Sequence, residues 1–176
     1  TEEYQRKIIC ANEKDLALAK ENGMSPAMLD RLTLTKERIE AIAGSQEKLI
    51  ALPDALGRGV CFTRPNGLRI RRVSVPLGVV AIIYEARPNV TADAAAICIK
   101  TGNSVVLRGG KEAFCTNCAI EEIIRLSLAD AELPPDAVQL IKDTTRASGN
   151  ALMTATGLVD VLIPRGGKGL IRTVVE

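Results

Sequence analysis

The sequence contains no histidine and no tryptophan, and its aromatic side chains are limited to two phenylalanines and two tyrosines. Without histidine, the chain cannot form a histidine-based triad or use an imidazole as a general acid or base. The shortage of aromatic rings removes the platforms on which single-stranded nucleic acids stack their bases. Because the net charge is also only +2, we do not expect nucleic acid as a partner.

The five cysteines are odd in number, and only Cys115 and Cys118 lie close together, in a Cys-x-x-Cys spacing. Such a pair can be redox-active or can supply half of a zinc site. Zinc needs further ligands, however, and the chain has no histidine to provide them. The sequence therefore predicts no metal site and cysteines that stay reduced.

Long apolar runs are also missing. No stretch approaches the about 18 consecutive apolar residues of a membrane-spanning helix, and the first residues do not resemble a secretory leader. Hydrophobic residues make up 47% of the chain and charged residues 25%, which is typical of an ordinary globular protein. We therefore expect a cytoplasmic protein that does not enter a membrane.

Residues 1–52 are predicted to be helical, because their apolar residues recur at spacings of three and four. We expect breaks in this helical region at Asn22-Gly23 and at Gly44-Ser45. Ser25-Pro26 is a suitable helix start, in which the serine hydroxyl caps a free N–H and proline takes the first helical position.

Residues 53–75 differ from the preceding region, because glycine, proline and asparagine cluster there. A turn is predicted at 63–67, and residues 68–75 then approximate the alternation of a strand, with arginines at several of the polar positions. An exposed, arginine-rich strand is either a solvated sheet edge or a segment that meets a partner chain. The residues themselves leave both alternatives open.

From residue 76 onward, short apolar runs alternate with helical patterns. Strands are predicted at 78–84, 104–108, 137–141 and 159–164, and helices at 91–102, 112–133 and 146–156. Apolar strands separated by helices indicate an α/β protein with an open parallel sheet and helices on both faces. A last helix is predicted to begin near Gly167 and to run to the end of the chain, so we expect the sequence to be a fragment.

The tetrapeptide Arg-Gly-Gly-Lys occurs twice, at 108–111 and at 165–168, each time after a predicted strand. In an open parallel sheet, such turns lie at the carboxyl ends of the strands, where ligands bind. Glycine allows close backbone approach, and the N–H groups of a helix start attract anions. Neither turn matches the two common phosphate-binding motifs, so two phosphate sites and two plain turns remain alternatives.

A third turn follows the first predicted strand and brings Glu85, Arg87 and Asn89 to the same edge of the sheet. There, Arg87 could hold a carboxylate or a phosphate through two parallel hydrogen bonds. The alternative is a turn that only starts a helix and leaves its arginine in solvent.

Three segments carry a resemblance to a known family: VPLGVVAIIYEARPNVTADAAA, KTGNSVVLRGGKEA and VDVLIPRGGKGLI. In this order they closely resemble the γ-glutamyl phosphate reductases, a branch of the aldehyde dehydrogenase superfamily. The upstream segment ANEKDLALAKENGMSPAMLDRLTLT resembles the same family, so the resemblance covers nearly the whole chain.

The resemblance implies a Rossmann-like aldehyde dehydrogenase cofactor domain in three parts. Residues 1–52 correspond to its N-terminal helical part and 53–75 to a hairpin arm through which such enzymes form homo-oligomers. Residues 76–176 correspond to the dinucleotide-binding β-α repeat, incomplete at its carboxyl end.

The activity implied by the resemblance is the NADPH-dependent reduction of γ-glutamyl phosphate to glutamate-5-semialdehyde and phosphate, in proline biosynthesis. In such enzymes a cysteine of a second domain carries the acyl group as a thioester. None of the five cysteines here lies in a comparable context, so we expect no catalytic residue in this chain and no activity from it alone. The alternatives are another oxidoreductase of the superfamily, such as a CoA-acylating dehydrogenase, and a non-catalytic nucleotide-binding module.

The resemblance also assigns cofactor contacts, residue by residue. The loop that faces the dinucleotide pyrophosphate corresponds to Gly166, Gly167 and Gly169. Arg108 corresponds to a position near the adenosine ribose, and we expect Arg108 and Lys111 to favour NADPH by pairing with its 2′-phosphate. The intervening Gly109 and Gly110 depart from the common superfamily turn but belong to the same expected contact.

Substrate contacts are expected from the third turn, which takes the place of an oxyanion-binding asparagine in aldehyde dehydrogenases. The register leaves Arg87 and Asn89 as the counterparts of that residue. We expect Arg87 to lie near the phosphate or the carboxylate of the substrate.

Overall fold

The structure is a computed structural model that describes residues 2–175. Along the chain, a helical region is followed by a hairpin and then by alternating strands and helices. The first three helices are α1 (Glu2–Glu21), α2 (Pro26–Leu32) and α3 (Lys36–Ala51), and the hairpin comprises β1 (Gly59–Thr63) and β2 (Arg69–Val73). The alternating region comprises β3 (Val79–Tyr84), α4 (Asn89–Lys100), β4 (Ser104–Arg108), α5 (Phe114–Asp130), β5 (Val138–Leu140), α6 (Arg146–Met153), β6 (Val161–Arg165) and α7 (Lys168–Val175).

The strands β3 to β6 form one parallel sheet in the order β5-β4-β3-β6. The chain runs outward from β3 to β5 and then returns to place β6 on the other side of β3. Tyr84, at the end of β3, therefore lies opposite Arg165, at the end of β6. A reversal of strand order of this kind opens a crevice at the carboxyl ends of the strands.

Helices cover both faces of this sheet, as predicted. On one face, Val80 and Ile82 pack against buried residues of α4 and α5. On the other face, Ala81 and Ile83 pack with Leu152 of α6. The partly buried Leu170 of α7 packs against this cluster. Full burial of a valine, leucine or isoleucine side chain contributes roughly 1.5–3 kcal/mol. The predicted open α/β sheet is confirmed.

The N-terminal helices dock on the sheet region through a buried polar side chain. Asn12 of α1 is only 1% exposed. Its amide nitrogen donates to the Leu32 carbonyl oxygen at 2.9 Å and to the Thr116 hydroxyl at 3.2 Å. Its amide oxygen accepts a hydrogen bond from the Leu34 N–H at 2.8 Å. One side chain thus ties α1 to the end of α2 and to the start of α5.

The predicted break at Gly44-Ser45 is wrong, because α3 runs through both residues. Inside the helix, the Ser45 hydroxyl donates to the Ala41 carbonyl oxygen at 2.9 Å. A single glycine costs a helix only about 1 kcal/mol, and α3 gains contacts with α4, including a 3.0 Å hydrogen bond from Gln46 to Asp93.

The first predicted break is confirmed, since α1 ends at Glu21 and Gly23 has a φ of 69°. Ser25-Pro26 starts α2 as predicted, but the Ser25 side chain makes no capping hydrogen bond. The sequence reading missed the break between α2 and α3. There, the Thr35 hydroxyl caps α3 by accepting from the Arg38 N–H at 3.3 Å.

The hairpin of β1 and β2 stands apart from the main sheet, and within residues 2–175 its strands pair only with each other. The predicted turn is present, with the Gly67 N–H donating to the Arg64 carbonyl oxygen at 2.9 Å. Because Phe62 pairs with Ile70, the apolar residues Val60, Phe62 and Ile70 share one face. Val60 is 59% exposed and Phe62 47% exposed, so this face is not covered by the rest of the chain.

Candidate functional site

A cleft of about 430 Å³ opens where β3 and β6 end side by side. Three parts of the chain contribute to its walls, namely α2, the turn between β3 and α4, and the turn between β6 and α7. The lining residues are Met28, Arg31, Tyr84, Glu85, Ala86, Arg87, Val90, Arg165, Gly166 and Gly167. Three of them are arginines and one is a glutamate, so the charge of the cleft favours an anionic ligand.

The second Arg-Gly-Gly-Lys turn forms one edge of this cleft. Its Gly167 N–H donates to the Glu85 carboxylate at 3.2 Å. A Cβ atom on Gly166 would lie 2.8 Å from the Glu85 carboxyl carbon, so the missing side chain lets the carboxylate approach the backbone. The start of α7 thus already holds an anionic oxygen, which is the chemistry expected of a phosphate-binding turn.

The first Arg-Gly-Gly-Lys turn leads into α5, whose free N–H groups are bound by another part of the chain. The Asp15 carboxylate accepts from the Cys115 N–H at 3.0 Å, from the Thr116 N–H at 2.8 Å and from the Thr116 hydroxyl at 2.6 Å. Asp15 is only 4% exposed. A ligand phosphate cannot use these N–H groups, because a buried carboxylate caps them.

Gly109 of the first turn is buried under Tyr84 and Asn117. A Cβ atom there would collide with the Asn117 amide nitrogen and would lie 3.2 Å from the Tyr84 hydroxyl oxygen. Since Thr91 donates to Asn117 at 2.8 Å, the Tyr84 hydroxyl donates to Thr91 at 2.7 Å. Burial raises the pKa of Tyr84 to about 12, against the opposing effect of the hydrogen bond with Thr91. Close packing therefore accounts for glycine at position 109.

Arg108 connects β4 to the loop between β5 and α6. Its guanidinium donates to the carbonyl oxygens of Thr144 at 2.8 Å and Thr145 at 2.9 Å. Its Nε atom is buried without a hydrogen-bond partner in the part of the chain that the structure describes. Lys111 is exposed and Gly110 is half-buried beside Glu112. Cofactor contacts of this turn stay a prediction.

The two expected substrate residues lie on the third turn in different surroundings. Arg87 is exposed and lines the cleft. Asn89 is the first residue of α4, and its amide donates to the Asp93 carboxylate at 3.2 Å. It lines an adjoining depression, together with Arg87 and Arg31. Arg87 thus shares the cleft with Gly166 and Gly167, and Asn89 lies next to it.

The sequence reading missed the contribution of α2 to the cleft. Met28 and Arg31 line its wall, although they precede β3 by about fifty residues. A short amphipathic helix contains no motif that indicates a distant ligand site. Arg165 was noticed only as part of the repeated tetrapeptide.

The cysteines lie outside the set of residues that line the cleft. Burial raises the pKa of the Cys98, Cys115 and Cys118 thiols, and the nearby Asp15 carboxylate adds to this effect at Cys115. Raised thiol pKa values disfavour the thiolate that acts as a nucleophile. Over residues 2–175, no three potential metal-binding side chains gather into a metal site.

None of the helices within residues 2–175 has both the length and the apolar character needed to cross a bilayer.

Comparison with known proteins relates this chain to one family. The model of the aldehyde dehydrogenase family matches residues 12–173. The chain is 54% identical over 175 residues to a γ-glutamyl phosphate reductase of Thermobifida fusca, covering 99% of this chain and 42% of that protein. The crystal structure of a γ-glutamyl phosphate reductase from Thermotoga maritima superposes with a TM-score of 0.96 at 38% identity, over 99% of this chain and 42% of that one.

A more distant likeness concerns the fold alone. An engineered glycolyl-CoA reductase with bound NADP+ has a TM-score of 0.62 and 20% identity, over 97% of this chain and 44% of that one. The chain thus spans about two fifths of the length of the proteins that it matches. The match of the family model over most of its residues shows that this chain belongs to the aldehyde dehydrogenase family.

Proposed function

We propose that the chain is the cofactor-binding part of an enzyme that reduces γ-glutamyl phosphate to glutamate-5-semialdehyde and phosphate, with NADPH, in cytoplasmic proline biosynthesis. The observation that carries the proposal is the cleft at the strand-order reversal, where Gly167 offers its N–H to an anion. The 54% identity to a γ-glutamyl phosphate reductase supports this substrate over others.

NADPH supplies the hydride in this proposal, and the chain supplies its binding site. Gly166 and Gly167 present backbone to the pyrophosphate. Gly169 leaves the first turn of α7 open, since no atom of the other described residues would lie within 4 Å of a Cβ atom at this position. Lys111 is exposed, whereas the Arg108 guanidinium already binds two carbonyl oxygens. We therefore assign more of the recognition of the 2′-phosphate to Lys111 than to Arg108.

The substrate is assigned to the cationic side of the cleft. Within the described residues, the Arg87 guanidinium makes no ion pair, so it can hold a phosphate or carboxylate through two hydrogen bonds. Asn89 is placed at the border of the site, where its amide can contact the same ligand. No side chain of this chain is proposed as the nucleophile.

The cofactor assignment is tested by the Arg108→Ala, Lys111→Ala double variant of the full-length enzyme. Loss of charge-assisted hydrogen bonds to the 2′-phosphate is expected to lower the NADPH-to-NADH ratio of kcat/KM about ten- to a hundredfold. Single variants are expected to divide this loss unequally, with the larger share at Lys111. Circular dichroism checks that each variant is folded. An unchanged ratio in the double variant removes both residues from cofactor selection.

A second oxidoreductase activity, that of a CoA-acylating dehydrogenase, is the alternative within the family. The full-length enzyme is offered γ-glutamyl phosphate in one assay and acyl-CoA substrates in another, with NADPH in both. Reduction of acyl-CoA without reduction of γ-glutamyl phosphate overturns the proposal. NADPH binding without turnover of either substrate favours a non-catalytic nucleotide-binding module.

We also propose that the enzyme is a homo-oligomer whose contact includes the 53–75 arm. An isolated two-stranded hairpin is marginally stable in water, and this one exposes Val60 and Phe62 on a single face. The Val60→Glu, Phe62→Glu variant is expected to shift the full-length enzyme to a lower oligomeric state in light scattering. Thr63→Glu, on the opposite face of β1, is the matched control. Equal oligomeric states of all three proteins contradict this role.

A further inference from the structure

Glu85 is the only carboxylate among the residues that line the cleft. It follows directly on β3, and its side chain crosses to the β6–α7 turn to accept the Gly167 N–H at 3.2 Å. The Gly166 position shows how close this approach is, since a Cβ atom there would lie 2.9 Å from a Glu85 carboxylate oxygen. Glu85 is itself exposed, so burial does not hold it in this position.

We propose that Glu85 is an internal competitor for the phosphate position of the β6–α7 turn, so that it lowers the affinity of the cleft for anionic ligands. The proposal deepens the proposed function, because it takes the ligand of this turn to be the dinucleotide. A carboxylate and a phosphate both present anionic oxygens to the same N–H, and two anions cannot share it. The carboxylate therefore has to leave when a phosphate binds.

The cleft provides a place for the displaced carboxylate. Arg31, Arg87 and Arg165 line the same walls, and none of them forms an ion pair within residues 2–175. A flexible glutamate side chain can move from the N–H to one of these guanidinium groups without a change in the backbone. Exchange of one partner for another keeps the cost of displacement small, so Glu85 tunes the affinity and does not block the site.

The test is the Glu85→Gln variant of the full-length enzyme, with NADPH and inorganic pyrophosphate as probes. NADPH binding is followed by its fluorescence, and pyrophosphate binding by competition with NADPH. Glutamine retains the size of the side chain but removes the charge, and the interactions of an exposed charge correspond to about two- to fivefold in affinity. Both dissociation constants are therefore expected to fall by that factor.

Two further variants separate the effect of the carboxylate position at the Gly167 N–H from the effect of net charge. Glu85→Asp keeps the charge but shortens the side chain by one methylene, so the carboxylate no longer reaches the Gly167 N–H; pyrophosphate binding is expected to tighten here as well. Glu13→Gln removes one exposed carboxylate of α1 and is expected to leave both affinities unchanged.

The outcomes distinguish this inference from the proposed function. If the parent enzyme binds NADPH and Glu85→Gln binds it equally or more weakly, Glu85 is not a competitor, and the proposed function stands. A tightening in Glu85→Gln that Glu13→Gln reproduces also overturns the inference, since net charge then explains it. Absence of NADPH binding in both the parent and Glu85→Gln overturns the inference together with the proposed function.

Discussion

The two Arg-Gly-Gly-Lys turns have the same four residues, the same position after a parallel strand and opposite surroundings. At the first turn, the helix start is capped by the buried Asp15, and Gly109 is packed under Tyr84. At the second turn, the helix start faces a cleft, and the Gly167 N–H donates to the exposed Glu85. The side chains that distant parts of the chain bring to each turn, and not the tetrapeptide itself, therefore decide whether the turn is available to a ligand.

The largest expected effect concerns the cap of the first turn. Asp15→Ala leaves two N–H groups and a hydroxyl without their acceptor, so the free energy of unfolding is expected to fall by about 2–4 kcal/mol. Urea denaturation measures this loss. Glu13→Ala, an exposed position of the same helix, is the control and is expected to change the free energy by less than about 0.5 kcal/mol. A similar, small effect of both variants would mean that the first turn is as open as the second.

The same substitution in both turns tests the packing difference directly. Gly109→Ala forces a methyl group against Asn117 and Tyr84, and overpacking of this kind costs about 1–3 kcal/mol. Gly166→Ala meets mainly the flexible Glu85 side chain, so its cost is expected to stay below about 1 kcal/mol. Denaturation curves of the two variants provide the comparison, and equal losses would contradict it.

Replacement of the arginines of the two turns is expected to give a smaller difference in the loss of stability. Arg108→Ala removes two hydrogen bonds to the β5–α6 loop and is expected to destabilise the protein by roughly 1–2 kcal/mol. Arg165 is exposed and makes no ion pair within the described residues, so Arg165→Ala should cost less than about 0.5 kcal/mol. Thermal unfolding measures both. A larger loss for Arg165→Ala would reverse the assignment of structural roles.

A pH-dependent effect is expected in alkaline solution. Folding raises the pKa of Tyr84 from about 10 to about 12, so the neutral hydroxyl stabilises the fold below pH 10. This contribution is lost as the pH rises from about 10 to about 12, because the unfolded chain releases the proton first. Tyr84→Phe is therefore expected to show a shallower loss of stability over that range, with Tyr4→Phe as the control. If the free energy of unfolding of Tyr84→Phe and of the parent falls equally between pH 10 and pH 12, this prediction is contradicted.

The sheet could be predicted from the sequence because its signals are local. Apolar runs such as Val79–Tyr84 and Ser104–Arg108 are bounded by glycine or polar turns, and the strands were found within one or two residues of their predicted positions. The break predicted at Gly44 failed for the opposite reason. Packing of α3 on α4 outweighed the local helix propensity of one residue.

The site was predicted only in part, because its contacts join distant segments. The Gly166–Gly167 turn and Arg87 were found from their place after strands, and they share one cleft. Asp15 caps a helix start at Thr116, which is 101 residues away in the sequence, and the apolar periodicity of α1 does not predict this contact. Arg31 reaches the cleft from α2, whose sequence carries no ligand motif.

The 101 residues between Asp15 and Thr116 also determine when their contact can form during synthesis. A ribosome adds about 5–20 residues each second, so Thr116 emerges roughly 5–20 seconds after Asp15. During this interval Asp15 lacks its partners Cys115 and Thr116, and Asn12 lacks Thr116 but can already bind Leu32 and Leu34. The βαβ unit of β3, α4 and β4 can form in the meantime from contacts close in sequence. The contacts that Asn12 and Asp15 make with the start of α5 can therefore be completed only after that helix start has been synthesised.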